Sequence, residues 1–496
     1  MATLPDGLPT DASAFLGQIV ATDESISQLE LENVAFIVTL INSLHASFYA
    51  TFLSRSYAKE LAAKLRVDAL GVSFTLDAVQ WKWRRRRGGA AEVVTVSHAI
   101  RADFDLKAQH QLSRIGTMVV NGSIGVEEGL KAILAKRADQ RFEHLYRQPP
   151  GRPFAVALMA LGTSTLCFGG NLVDGIFALL EGLVAGFLGM FCSEGFVALA
   201  ISCYSLLVVN NHPENTCFSS QVIGTLFWFY FGTAFIIALF EVASGQLRIG
   251  ILRLFFALVD SFRHAVGIAV AFVVGVMLLG QDVKDLVIRD CNDMENHSDE
   301  ARLSLGGIQL HIPLFLLLCI AVNSQLRVDI RDWPVCVAVQ AITMFTLQIC
   351  EKLGHSDFQS NFVPSFLAAF SSLALLRLFG GSGGQSHTGK VDHQLMHPSG
   401  AGTLRSALRY DQRDAWFCIF PSLYLLIPGS GLVKACLFSI AGLFGFADDA
   451  VPPNFAFVLL QIGLGQVLGI GLGMALFELC SSRRRADRDD TRGLPS

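Results

Sequence analysis

The sequence predicts a polytopic α-helical membrane protein of about ten transmembrane helices, in two five-span halves, with an N-terminal soluble α+β domain. Three observations carry this. Of 496 residues, 52% are hydrophobic and only 16% charged, against about 25% charged in soluble domains. Most charges fall before Arg152, in short connectors, or after Glu478, which leaves long apolar runs between. Successive connectors also alternate between Arg/Lys-rich and acidic or neutral, the pattern that orients membrane proteins. The net charge of −4 averages two unlike parts and points to no nucleic-acid partner.

Residues 1–32 read as a disordered, acidic tail, without the basic and apolar regions of a cleavable signal peptide. Residues 33–152 read as a cytosolic α+β domain. Phe36, Leu40, Leu44, Phe48 and Phe52 recur every four positions and predict a helix over 33–66. Residues 69–76 and 92–97 alternate like strands. Between them Trp81–Gly89 reads as a basic hairpin connector: a solvated loop, or a contact with anionic headgroups with Trp81 and Trp83 at the interface. Helices are expected near 106–121 and 126–138, the second with Glu127 and Glu128 in its first turn, which suits the helix dipole.

Apolar runs near 154–171, 173–191, 195–210, 222–241 and 254–280 make the first membrane module (153–280). An extracytosolic loop, 281–307, follows. Runs near 308–324, 333–350, 361–379, 415–447 and 455–477 make the second module (308–477), with a cytosolic linker at 380–414 and a cytosolic tail at 478–496. The ninth run is too long for one straight helix and contains Pro421 and Pro428-Gly429, so a broken or re-entrant helix is expected there. Arg141, Arg147 and Arg152 precede the first span, and the later basic clusters fall on the same side. Both termini are therefore expected in the cytosol, in the plasma membrane or an endomembrane. The opposite loops hold the sequon at Asn296 and, in two different connectors, Cys217 and Cys291, which leaves a disulfide between them open. Gly182 and Gly186, and Gly465, Gly469 and Gly473, lie four apart and predict close helix packing, with a homo-oligomer face as the alternative.

Ionisable groups inside a bilayer are functional candidates. Asp174 and Glu181 lie seven apart, two turns on one helical face. Glu241 ends the fourth run. Asp260 and Arg263, three apart, can neutralise one another. Asn171, Gln246, Asn323 and Gln461 are neutral polar residues able to bind substrate or to glue helices. The expected pathway is lined by Asp174 and Glu241, one of which carries the coupling proton. The competing structural reading makes Asp174 a helix cap and pairs Glu241 with Arg248 or Arg253.

Three stretches give the chain a family likeness: Phe168-Gly169-Gly170-Asn171 with Asp174, Glu241–Gln246 with Gly250 and Arg253-Leu254, and Ile427-Pro428-Gly429-Ser430. Together they resemble the threonine/serine exporter family, in the fused two-module form of the fungal pheromone-regulated membrane proteins. The resemblance covers most of residues 33–477. It implies secondary active export of small polar metabolites coupled to protons, with threonine and serine as substrates and dicarboxylate export in some relatives. Independently of the resemblance, the break at Pro428, Gly429 and Ser430 offers exposed backbone groups for an amino acid's carboxylate or ammonium. Two features depart from the family pattern. Phe231-Gly232 replaces a Pro-Gly and implies a softer break, and Glu181 stands where an apolar residue is usual.

Gly384, Gly389 and Lys390 imitate a phosphate-binding loop, but Val391 stands where Ser or Thr should hold magnesium and no strand precedes it. No cofactor, metal or enzyme motif is expected. The rival readings are a membrane-anchored sensor or hydrolase using His45, His98 and His110, and a structural membrane protein without transport.

Overall fold

The computed structural model describes residues 10–22, 26–47, 49–67, 69–75, 78–87, 90–99, 105–139, 151–230, 232–280, 305–382, 412–426 and 455–492. The chain is mostly helical. Its N-terminal part comprises α1 (Thr10–Thr22), α2 (Gln28–Ala46), α3 (Thr51–Lys64), strands β1 (Leu70–Phe74), β2 (Ala78–Arg87) and β3 (Ala90–Ala99), then α4 (Leu106–Val120) and α5 (Val126–Asp139). The expected tail is in part a helix. Phe15, Leu16 and Ile19 of α1 are fully buried, and Phe15 packs on Trp81 with ring centroids 6.3 Å apart. Its apolar face, short as it is, closes the core.

The expected helix over 33–66 is two helices. The predicted stripe of Phe36, Leu40 and Leu44 is buried on α2, while Phe48 lies outside the described residues. The Ser27 hydroxyl caps α2 by accepting from the Glu30 N–H at 3.2 Å.

The sheet is a three-stranded antiparallel meander, and it corrects the reading of the basic segment. Trp81 sits between Val72 and Val96 in register, and Arg84–Arg87 pair with Val93–Ala90. Val79, Trp81 and Trp83 alternate onto the buried face. Lys82 and Arg84 take the exposed one. Trp81 Nε1 donates to Asn42 Oδ1 at 2.9 Å. The indoles are core anchors, and neither is available to a membrane interface.

The bundle comprises α6 (Gly151–Leu166), α7 (Leu172–Leu188), α8 (Glu194–Asn211), α9 (Phe218–Leu226), α10 (Gly232–Ala243), α11 (Leu247–Leu279), α12 (Leu305–Gln325), α13 (Trp333–Lys352), α14 (Asp357–Ser382), α15 (Gln412–Leu426) and α16 (Phe455–Arg492). Among the described residues, five helical stretches are long and apolar enough to cross a membrane, or six if the bent pair α9–α10 counts as one. Helices α6 and α7, with 16 and 17 residues, are shorter than the ~20 residues of a full span.

The fourth run is a broken helix. After a 3-10 turn at Phe227–Phe229, Tyr230 is extended, and α10 leaves α9 at 61°. The break is sharp although no proline is present, contrary to the softer one expected. Its freed carbonyls find donors in the second half. The Tyr424 hydroxyl donates to Phe227 O at 3.3 Å, and Gln325 Nε2 donates to Trp228 O at 3.0 Å. Non-helical backbone at such depth persists where protein satisfies it.

Both glycine ladders are filled within the chain. A Cβ at Gly182 would sit 2.7 Å from Ala157 Cα, and one at Gly186 2.6 Å from Pro153 Cα, so α6 and α7 run antiparallel at close approach. A Cβ at Gly465 would sit 2.7 Å from Phe358 O, and one at Gly473 2.6 Å from Phe366 O, which sets α14 and α16 parallel. These faces serve internal packing.

The N-terminal part docks on the second half through α4. The N–H groups of Leu106 and Lys107 donate to Leu326 O and Arg327 O at 3.1 and 3.0 Å. Arg327 pairs with the α4 cap Asp105 at 3.2 Å. The His110 ring lies 4.5 Å from that of Phe417 on α15.

Gly186→Leu and Gly473→Leu should each force helices apart and lower the midpoint of thermal unfolding in detergent. The expected loss is about 1–3 kcal/mol, as for overpacked cores. Burial, followed by the Arg114 charge, lowers the His110 pKa to about 4, with Asp329 opposing. The unfolded chain therefore binds a proton that the native one refuses. The contribution of neutral His110 is fully present above about pH 6.5 and is lost as pH falls toward 4. His110→Phe should flatten that part of the stability–pH curve.

Candidate functional site

Inside the apolar bundle the structure gathers polar side chains along one seam, between α7 and α9. It starts at the loop before α7, where Gly169 has φ +68°. The Asn171 side chain caps α7 by accepting from the Asp174 N–H at 2.9 Å. Asp174 Oδ2 returns the favour, accepting from the Asn171 N–H at 3.1 Å, which completes a capping box. Asp174 Oδ1 accepts from the Cys217 N–H at 2.8 Å and from Gln221 Nε2 at 2.9 Å. Three N–H donors thus hold this 1%-exposed carboxylate.

Two turns further, about 10 Å along α7, Glu181 is equally buried. Ser205 Oγ on α8 donates to its Oε1 at 2.7 Å, and Thr225 Oγ1 on α9 donates to its Oε2 at 3.0 Å. Gln221 and Thr225 are one turn apart on α9 and match the two acids on α7. The seam continues into α6, with Ser164 and Ser220 sharing a hydrogen bond at 2.8 Å and Thr163 donating to Gly224 O at 2.9 Å. Gly224 and Gly170 leave no room for a Cβ beside Ser164.

Glu241 lies elsewhere. It sits on α10 at the joint with the N-terminal part, fully buried. Arg253 Nη1 on α11 is 3.0 Å from its Oε1. The Thr51 hydroxyl and N–H at the start of α3 donate to the same oxygen at 2.7 and 3.4 Å. Gln246, in the turn between α10 and α11, accepts from Arg55 Nη1 at 3.4 Å. The residues expected together therefore form two sites: Asn171, Asp174 and Glu181 in the seam, and Glu241 and Gln246 at the joint. Pro428, Gly429 and Ser430 lie outside the described residues.

Asp260 and Arg263 pair at 3.2 Å. Cys217 is disulfide-bonded, and Cys291 lies outside the described residues, as does Asn296. In the second half, Asn323 Nδ2 donates to Gln340 Oε1 at 3.4 Å, and Gln340 Nε2 donates to Pro421 O at 3.3 Å. Asn323 there links helices. The His45 ring lies tilted against that of Phe74, centroids 5.6 Å apart. Among the described residues no group of three or more His, Cys, Asp or Glu is placed to hold a metal.

Sequence reasoning missed Gln221, Thr225, Ser205 and Thr51. A signal was present for the first two, which are polar and four apart on a short apolar helix.

An apolar helical bundle that seals carboxylates in its interior defines an integral membrane protein. Residues 36–275 match the family model ThrE, "Putative threonine/serine exporter". The match covers just under half of the chain, from α2 into α11. No curated protein and no solved structure matches the chain.

Removing one partner of a buried ion pair leaves an uncompensated charge, worth about 3–5 kcal/mol. Glu241→Gln should therefore lower stability by that order, measured by thermal unfolding in detergent. Glu241→Met with Arg253→Met should recover most of it, because no buried charge remains.

Proposed function

We propose that the chain is a secondary active transporter that exports threonine/serine-type amino acids by proton-coupled antiport, and is not an enzyme. One observation carries this reading: the acid seam of α7 and α9 runs inside the apolar helices of the part that matches the exporter family. A transporter needs polar groups at depth that an apolar wall isolates from bulk water. The two carboxylates and the amide and hydroxyls facing them meet that need.

The ten-span topology, with both termini in the cytosol, has two supports. Helices α14 and α16 are parallel, so the chain between them returns once, as the ninth span would. The disulfide at Cys217 suits an oxidising compartment, and Cys217 stands in the connector without Lys or Arg. On this topology Asp174 lies toward the outside, Glu241 and the N-terminal domain toward the cytosol, and Glu181 near mid-depth. The break at Pro428, Gly429 and Ser430 adds backbone groups for the substrate's carboxylate and ammonium.

The purified full chain, reconstituted in liposomes with an imposed pH gradient, should move labelled threonine or serine against a concentration gradient. Succinate flux in place of amino-acid flux would assign dicarboxylate export. No flux of either would end the transport reading and leave a membrane-anchored sensor or structural protein.

A further inference from the structure

We propose that Glu181 is the proton-binding site of this chain, while Asp174 and Glu241 are fixed charges that hold the fold. The proposal rests on the transport reading above and names its coupling group.

The argument comes from the donors around each acid. A backbone N–H can only donate, so it favours the ionised form of any carboxylate it meets. Asp174 meets two backbone N–H groups and an amide. Glu241 meets a guanidinium, a backbone N–H and a hydroxyl. Protonating either would set a carboxylic O–H against backbone N–H groups and, at Glu241, a guanidinium, none of which can accept it.

Glu181 meets hydroxyls alone, and both have somewhere else to turn. Ser205 Oγ is also 3.1 Å from Ile201 O, and Thr225 Oγ1 is 3.4 Å from Ala178 O. With Glu181 ionised, each hydroxyl donates to it. With Glu181 protonated, one hydroxyl turns its hydrogen to its backbone carbonyl and accepts the new O–H. The proton comes from water on one side, forms an O–H bond at Glu181, and later leaves to the other side. No other bond changes. Both states are hydrogen-bonded, which is what a group that must cycle inside an apolar interior requires.

No cation faces Glu181 from the helices packed on α7. On α6 the ionisable residue is Arg152, which lies over the Phe229 ring and acts on Glu194. On α8 they are Glu194, Cys203 and Tyr204, and α9 has none. Among the described residues, Asp174, two turns away on α7 itself, is the one charged group that acts on Glu181. An ionised Glu181 is thus met by a like charge and no opposite one. Its place near mid-depth between the outer acid and the cytosolic joint suits alternate access from the two sides.

The test uses the full chain in liposomes and in detergent. In liposomes, Glu181→Gln should lower gradient-driven threonine or serine accumulation at least tenfold and flatten the pH dependence of flux. Glu181→Asp should restore a pH response. Full accumulation with an unchanged pH profile in Glu181→Gln would overturn the proposal. In detergent, the infrared band of a protonated buried carboxyl should titrate in the wild-type protein and vanish in Glu181→Gln; a band that persists unchanged overturns the proposal. The infrared reading needs no transport, so a wild-type protein without flux sinks the transport reading separately. Should Glu181→Gln fail to fold, Ser205→Ala with Thr225→Val reads the same site. It should shift the midpoint of the band by about one pH unit, and an unmoved midpoint overturns the proposal.

Discussion

A carboxylate within an apolar bundle must find donors, because an isolated buried charge is far costlier than the stability of any domain. The three buried acids of the first half satisfy this constraint in three ways, and each solution fastens particular elements. Asp174 ties the start of α7 to the connector before α9. Glu181 ties α7 to α8 and α9. Glu241 ties α10 to α11 and to α3 of the N-terminal domain. The packing of the first half is in this sense written by where its acids find partners, with the Gly182 and Gly186 ladder setting how closely α6 can approach.

The same constraint explains the break between α9 and α10. A helix that stops inside a bundle exposes carbonyls that water cannot reach. Tyr424 and Gln325 reach them from α15 and α12, and the Phe227 and Tyr424 rings stack edge-on at 5.4 Å. The break joins the two acidic sites: its α9 arm carries Gln221 and Thr225 to the seam, and its α10 arm carries Glu241 to the joint. The second half thus supports the kink on which the first half's polar groups are mounted.

Much of the helical pattern was legible in the sequence, because apolar runs of span length have few alternatives. What periodicity could not reveal was partnership. Arg84–Arg87 read as a loop because charge clusters usually are solvated, yet β2 continues through them, beyond the buried Trp81 and Trp83. Tail residues 10–22 offered only three large apolar residues at helical spacing, too few to distinguish from noise until the core they fill was known. Glu241 read as a pathway residue since its partners, Thr51 and Arg253, lie 190 positions upstream and on the next helix, past a chain reversal. The structural alternative, pairing with Arg253 and capping by Asp174, was contained in the sequence, and the geometry realises both. Glu181 was visible as an acid, but the reversible hydroxyls that distinguish it belong to two other helices.

The N-terminal part holds both halves at one end, and the two attachments differ in kind. On the first half, Glu241 and Arg253 are 0% and 4% exposed and joined by Thr51. On the second, the start of α4 meets the end of α12 head-on, a favourable meeting of opposite helix dipole ends. That contact asks Arg327 to adopt φ +52°, a strained backbone for a residue with a side chain. Its ion pair with Asp105 keeps one-fifth of the Arg327 side chain in contact with solvent, and partly solvated pairs contribute little. Packing of α4 on α15, where the His110 ring lies 4.5 Å from that of Phe417, completes this second attachment.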